Sequence, residues 1–298
     1  MNNFVKYLKD KQSIVEQRLK EIAEIILQDT PEKLKEAMLY SLFAGGKRLR
    51  PILTYAVAES LNGNLKDALT VGCAIEFIHT YSLIHDDLPA MDDDDYRRGK
   101  LTNHKKFGEG MAILAGDGLL TEAFNILTNR ELFINIDCVT MLDIANFIAK
   151  CSGASGMVGG QALDLLYENI DADEYVVKEI HINKTAKLIT ASIYSGARIS
   201  TDRDEIIKKF INFGYKVGLA FQIVDDILDI TGNLEQLGKS SKSDEKKNKS
   251  TYPSIFGIDK SKEIAGDLIY NAKKEISFLK EKGDILNHLS DFIQERMS

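Results

Sequence analysis

Ala74-Ile75-Glu76-Phe77-Ile78-His79-Thr80-Tyr81-Ser82-Leu83-Ile84-His85-Asp86-Asp87 is the stretch on which the fold class turns. Its apolar residues cover more than one helical face, which predicts a helix surrounded by other helices, carrying its terminal carboxylates out of a core. Segments 69–86, 111–128, 139–151, 186–199 and 206–230 share that character. Prolines occur only at 31, 51, 89 and 253, so residues 90–252 contain none, and no strong β alternation competes with long helices there. At the N-terminal end Phe4, Val5, Leu8, Val15, Leu19, Ile22 and Ile26 fall on one helix face. Thr30-Pro31 reads as a helix start, with Thr30 as cap and Pro31 in the first turn. Near the other end, stripes from Ile264 to Leu279 and from Ile285 to Ile293 are separated by Lys282-Gly283. Glycines at 45–46, 108–118, 153–160 and 214–218 mark turns or close helix contacts. With no linker, low-complexity tract or repeat, the expectation is one all-α domain spanning 1–298.

The chain has 298 residues, 38 basic and 45 acidic, and a net charge of −7, which argues against a general nucleic-acid binder. No uninterrupted apolar run reaches membrane-spanning length, and Lys6, Lys9, Asp10 and Lys11 stand where a secretory leader would need apolar residues. A cytoplasmic protein without a membrane span is expected. Cys73, Cys138 and Cys151 lie far apart, without metal-ligand spacing, and are expected to be buried, reduced thiols.

Asp86-Asp87-Leu88-Pro89-Ala90-Met91-Asp92-Asp93-Asp94-Asp95 packs six carboxylates into ten residues, followed by Tyr96-Arg97-Arg98. In isolation such a run is a solvated acidic loop. At the mouth of an apolar helix the carboxylates call for cations, and Mg²⁺ held by one or two carboxylates plus substrate phosphates is the natural candidate. Phe221-Gln222-Ile223-Val224-Asp225-Asp226-Ile227-Leu228-Asp229 repeats the pattern 139 residues later. Asp225 and Asp229 share a helix face, where like charges repel unless a cation lies between them. Two such helices facing each other across a pocket could be bridged by metal and polyphosphate. The basic residues Lys47, Arg48, Arg50, Arg97, Arg98, Lys184, Lys239 and Lys249 complement them. Singly each is more often a surface charge; together with the carboxylates they suit a site for two diphosphates. Gly45-Gly46-Lys47 lacks the frame of a nucleotide phosphate loop.

These residues resemble the short-chain trans-prenyl diphosphate synthases, with the bacterial farnesyl diphosphate synthases nearest. The resemblance runs from Gly45-Gly46-Lys47-Arg48-Leu49-Arg50-Pro51 through both aspartate motifs, Gly159-Gly160-Gln161-Ala162-Leu163-Asp164 and Lys184-Thr185, to Lys249-Ser250-Thr251-Tyr252-Pro253. It implies an isoprenoid synthase-type bundle of about a dozen helices around a deep central pocket, usually as a homodimer. It also implies a reaction: an allylic diphosphate (dimethylallyl, then geranyl) ionises, isopentenyl diphosphate attacks the cation, and a proton leaves with pyrophosphate, giving farnesyl diphosphate.

The same resemblance assigns roles. Asp86, Asp92 and Asp225 would bind Mg²⁺, three ions with substrate present, supported by Asp87, Asp226 and Asp229. Isopentenyl diphosphate would meet Gly46, Lys47, Arg50, His79 and Arg98. The allylic diphosphate would meet Arg97, Lys184, Lys239 and Lys249, with Thr185 and Gln222 offering oxygens to the carbocation. His79, two turns before Asp86, is thereby favoured over His85, which is read as structural. Product length would follow from the floor formed by Ser82 and Tyr81, four and five residues before Asp86. On an ideal helix Ser82 lies more directly under Asp86, and Tyr81 points about 140° away. Bulky Tyr81 nevertheless predicts arrest at C15, whereas a deeper floor would give a geranylgeranyl diphosphate synthase. Both aspartate motifs are intact, which disfavours a non-catalytic subunit, and Lys47, Arg50 and Arg98 exceed what a terpene cyclase needs. Asn248 stands where the family commonly has glycine, and Leu166-Tyr167 replace an acidic residue often found soon after Asp164.

Overall fold

The computed structural model describes residues 2–231 and 250–295. Its helices are α1 (Asn2–Ile26), α2 (Glu32–Leu42), α3 (Leu49–Ser60), α4 (Leu65–Asp86), α5 (Asn103–Phe107), α6 (Glu109–Thr128), α7 (Cys138–Ser152), α8 (Met157–Leu166), α9 (Glu174–His181), α10 (Lys187–Ser200), α11 (Asp204–Thr231), α12 (Tyr252–Phe256), α13 (Ile258–Glu275) and α14 (Asp284–Glu295). A π-helical segment, Ile182–Ala186, joins α9 to α10, and short 3-10 turns cover Arg130–Leu132 and Ser277–Gly283. The fold is all-α but for one antiparallel hairpin among the described residues, β1 (Tyr96–Arg97) and β2 (Lys100–Leu101). Its turn residues Arg98 and Gly99 have φ of 54° and 74°, the left-handed pair that a two-residue hairpin turn requires.

Contacts divide the chain into two compact units. The first comprises residues up to Tyr55 with Asn64–Ala145, the second Ala56–Gly63 with the described residues from Asn146 on. In the first, α4 packs along α6 and α1, and from Asp67 to Ile78 every α4 residue is buried. Asn64 caps α4 by accepting from the N–H groups of Lys66 and Asp67. By length and composition alone α6 could cross a membrane, but it lies against α4, α2 and α5. In the second unit α11 is central, with α10, α13 and α14 around it and Phe210, Phe213, Ile223, Val224 and Ile227 in the core.

Two local expectations are corrected. Pro31, not Thr30, occupies the position before α2: its extended backbone (ψ 132°) offers its carbonyl to the Lys35 N–H, no side chain caps the helix, and Thr30 stands one residue too early. Cys138 is exposed at the start of α7, beside Arg130 Nη1 at 2.9 Å, whereas Cys73 and Cys151 are buried as expected.

Candidate functional site

In the first unit the acidic motif begins where α4 ends. The loop after Asp87 turns back on the helix: the Asp92 N–H donates to the Asp86 carbonyl (2.8 Å) and the Asp93 N–H to that of Leu88 (3.1 Å). Asp93 takes a φ of 51° to allow this. Asp86 and Asp92, six residues apart in sequence, are thus neighbours at a helix end, and both are partly exposed. Thr102 closes the segment, its hydroxyl donating to the Asp94 carbonyl (2.8 Å) and its N–H to that of Asp95 (3.0 Å).

Asp87 is buried and engaged elsewhere. Arg97 Nε lies 2.7 and 2.9 Å from its two carboxylate oxygens, with Nη2 also on Oδ1, a forked pairing that fixes the hairpin to α4. The next residue, Arg98, donates to the Gly45 carbonyl. A Cβ on Gly46 would stand 2.7 Å from the Arg98 guanidinium, and Gly46 has a φ of 126°, so only glycine fits there. From α1, Gln12 Nε2 donates to the Gly46 carbonyl at 2.7 Å. Lys47 is exposed, Arg50 partly so.

Between them Arg48 turns inward and is fully buried. Its Nε bonds Glu16 (2.6 Å), its Nη1 Glu76 (2.9 Å) and its Nη2 the Leu42 carbonyl (2.7 Å). Burial pulls the guanidinium down, Glu76 and Glu16 push it back up, and the net direction is upward. Arg48, grouped by sequence with the diphosphate-binding cations, is therefore committed to the core, and its carboxylate partners were not expected. The signal was present in Glu76, the one carboxylate between Leu69 and Ile84, which needs a buried cation in such a helix. One turn on, His79 is held well below the ordinary histidine range by burial and by Arg50, Arg98, Arg97 and Arg48, so it stays neutral among four cations.

Tyr81 is buried, and burial with the Asp86 carboxylate pushes its phenol up to about 12. Its ring meets His85 edge-on, centroids 5.7 Å apart. His85 Nε2 lies 3.0 Å from the Ile113 carbonyl, and its ring fills the space over Gly116, in keeping with a structural role. Ser82 returns its hydroxyl to the His79 carbonyl (2.9 Å).

In the second unit the π segment carries Lys184 and Thr185. The extra residue per turn shifts the side chains that follow relative to a regular helix. Two glycines admit neighbouring backbones there: a Cβ on Gly160 of α8 would lie 2.2 Å from Lys184 N, and one on Gly218 of α11 2.5 Å from Ala186 Cα. Lys184 Nζ pairs with Asp164 Oδ2 at 2.7 Å. Thr185 Oγ1 donates to Gln222 Oε1 (2.6 Å), and Gln222 Nε2 donates to Asp226 Oδ1 (3.0 Å). Asp226 is buried and also accepts from the Tyr252 N–H (3.2 Å), with His181 Nε2 at 3.3 Å. His181 stacks on Tyr252, and burial lowers its imidazole to about 3. Asp225 and Asp229 are partly exposed, one turn apart on α11. Lys239 and Lys249 lie outside the described residues.

Each unit therefore assembles its own set of groups suited to a polyanion. The first brings Asp86 and Asp92 together with Gly46, His79, Arg97 and Arg98, and the second joins Thr185 and Gln222 to Asp226 and Lys184 to Asp164, with Asp225 and Asp229 on the same α11. The hard carboxylate oxygens of Asp86, Asp92 and Asp225 suit Mg²⁺. Among the described residues no three or more His, Cys, Asp or Glu side chains form a cage, and an ion completing its shell with phosphate oxygens requires none.

Comparison with known proteins gives the same direction. Residues 31–286 match the polyprenyl synthetase family. The chain is 44% identical over 295 residues to a farnesyl diphosphate synthase of Bacillus subtilis, covering 99% of each. It is 43% identical to a geranylgeranyl diphosphate synthase of Cyanophora paradoxa, covering 99% of this chain and 97% of the other. A crystal structure of an FPP/GFPP synthase from Zymomonas mobilis superposes with a TM-score of 0.82 at 34% identity, covering 96% of this chain and 99% of that one. The chain belongs to the polyprenyl synthetase family.

Proposed function

We propose that this chain condenses isopentenyl diphosphate with dimethylallyl and then geranyl diphosphate, releasing pyrophosphate each time and ending at farnesyl diphosphate. The observation that carries this reading is the loop that folds Asp92 back onto the end of α4 at Asp86, next to a hairpin whose Arg97 and Arg98 are held by Asp87 and the Gly45 carbonyl. Carboxylates and guanidiniums set on one short segment suit a polyanion that arrives with a divalent cation.

In this reading the full chain, 1–298, acts as one domain, with residues of both units serving one reaction. Asp86, Asp92 and Asp225 hold Mg²⁺, as three ions with substrate bound, and Asp87 and Asp229 support them. When bound, Mg²⁺ supplies Lewis-acid neutralisation of the leaving diphosphate. Gly46, Lys47, Arg50, His79 and Arg98 receive isopentenyl diphosphate. Arg97, Lys184, Lys239 and Lys249 receive the allylic diphosphate. Thr185 and Gln222 turn oxygen dipoles toward the cation that forms, which a preorganised site stabilises without reorganising. The enzyme is cytoplasmic and homodimeric. Ile113 and Leu114 on α6 and Val139 and Leu142 on α7 leave apolar surface exposed in the single chain. Sedimentation at twice the single-chain mass is the expected result, and a monomer at micromolar concentration would exclude the dimer.

Chromatography of products from dimethylallyl and geranyl diphosphates, with labelled isopentenyl diphosphate, tests the chemistry. C15 from both primers with Mg²⁺, and none with chelator, is expected. Absence of prenyl product with Mg²⁺ would refute the reading. The same assay examines the floor. Tyr81→Ala removes the buried ring below Asp86 and should shift the main product to C20 or longer. If that variant still stops at C15, Tyr81 does not set the length; C20 from the unaltered chain would make it a geranylgeranyl diphosphate synthase.

A further inference from the structure

We propose that Asp226 is the fixed end of a directional hydrogen-bond relay that orients the Thr185 hydroxyl, and that it acts as a positioning residue rather than as support for a metal ion. The inference rests on the condensation reading above. Its geometry runs through Asp226, Gln222 and Thr185, with His181 and Tyr252 behind.

The direction follows from what each group can do. A carboxylate only accepts. Asp226 Oδ2 accepts from the Tyr252 N–H at 3.2 Å, and His181 Nε2 stands 3.3 Å from the same oxygen. A ring nitrogen this close to a carboxylate oxygen carries a proton, since two acceptors would repel, and Nδ1 is left buried with no hydrogen-bond partner. Asp226 Oδ1 is 3.0 Å from the Gln222 amide, which must therefore present its NH₂. That turns Gln222 Oε1 to Thr185 Oγ1, 2.6 Å away, where it can only accept. The single hydroxyl proton of Thr185 is thus committed to Gln222, and any other contact of Thr185 Oγ1 meets lone pairs. A developing cation is attracted to lone pairs and repelled by an O–H dipole aimed at it. Gln222 and Asp226 are four residues apart on α11, and Gly218, one turn before Gln222, lets α11 approach Ala186 closely enough for Thr185 to reach it.

The relay predicts an unusual rescue. In Asp226→Asn the carbonyl oxygen must stay with the Tyr252 N–H and His181, so the new NH₂ faces Gln222. The Gln222 amide then turns over, donates to Thr185, and drives the hydroxyl proton outward. Expected is a roughly 10- to 100-fold lower kcat, with unchanged KM for both diphosphates and unchanged Mg²⁺ requirement. Adding Gln222→Glu restores every direction, because one oxygen of the introduced carboxylate accepts from the introduced amide and the other accepts from Thr185. The double variant D226N/Q222E should recover most of the lost kcat, while Gln222→Glu alone, which sets two carboxylates against each other, should not. A raised Mg²⁺ requirement in Asp226→Asn without rescue would overturn the relay in favour of metal support, and so would unchanged kcat in that variant. Denaturation midpoints of the four proteins read the relay without turnover. The double variant should lie nearer the unaltered protein than either single one, and a lower midpoint than both would also overturn it. An unaltered protein that makes no prenyl product would instead refute the condensation reading, leaving the midpoints to judge the relay.

Discussion

Asp225→Asn is expected to lower kcat by roughly 10²- to 10³-fold. Asp225 and Asp226 are adjacent on α11 and point about 100° apart. Asp226 is buried and accepts from Gln222 and Tyr252 with His181 alongside, whereas Asp225 is partly exposed on the face it shares with Asp229. The substitution keeps the shape of the side chain and removes only its charge, so a Mg²⁺ ion that Asp225 helps to hold should bind more weakly. Calorimetric titration of Mg²⁺ with pyrophosphate present gives a readout independent of turnover, and weaker binding in the variant is expected. Binding equal to that of the unaltered protein would remove Asp225 from the metal site.

How far this arrangement could be read from residues alone depended on the signal. The helices over 69–86, 111–128 and 206–230 were legible because long apolar stretches without proline leave few alternatives, and α4, α6 and α11 follow them closely. The placing of the aspartate clusters at the C-terminal ends of apolar helices was legible from the same stretches, with α4 ending at Asp86 and α11 carrying Asp225, Asp226 and Asp229. The hairpin over Tyr96–Leu101 was not, since two-residue strands show no alternation and Arg98 is not a residue from which a left-handed turn is inferred. The π segment was hidden for a related reason: one inserted residue hardly disturbs apolar periodicity, yet it determines how Lys184 and Thr185 are presented. In Gly45–Arg50 three cations look equivalent, but the backbone separates them. Arg48, at a φ of 49°, turns into the core, while Lys47 is left exposed. The Thr185–Gln222–Asp226 connection joins residues 37 and 4 apart and depends on helix packing, which no local pattern encodes.

The buried cation makes the second large effect a matter of stability. Arg48→Met keeps much of the length of the side chain and removes its charge, taking away the guanidinium that pairs with Glu76, 2% exposed. Breaking a buried ion pair from one side destabilises by roughly 3–5 kcal/mol, so the melting temperature should fall by about 10 °C for a chain of this size. Glu16 keeps a quarter of its side chain in water and can rehydrate; Glu76 cannot. A second substitution separates charge from volume: Glu76→Gln added to Arg48→Met removes the carboxylate charge as well and should restore part of the loss. A double variant no more stable than Arg48→Met would mean that lost packing, and not the buried charge of Glu76, accounts for the instability.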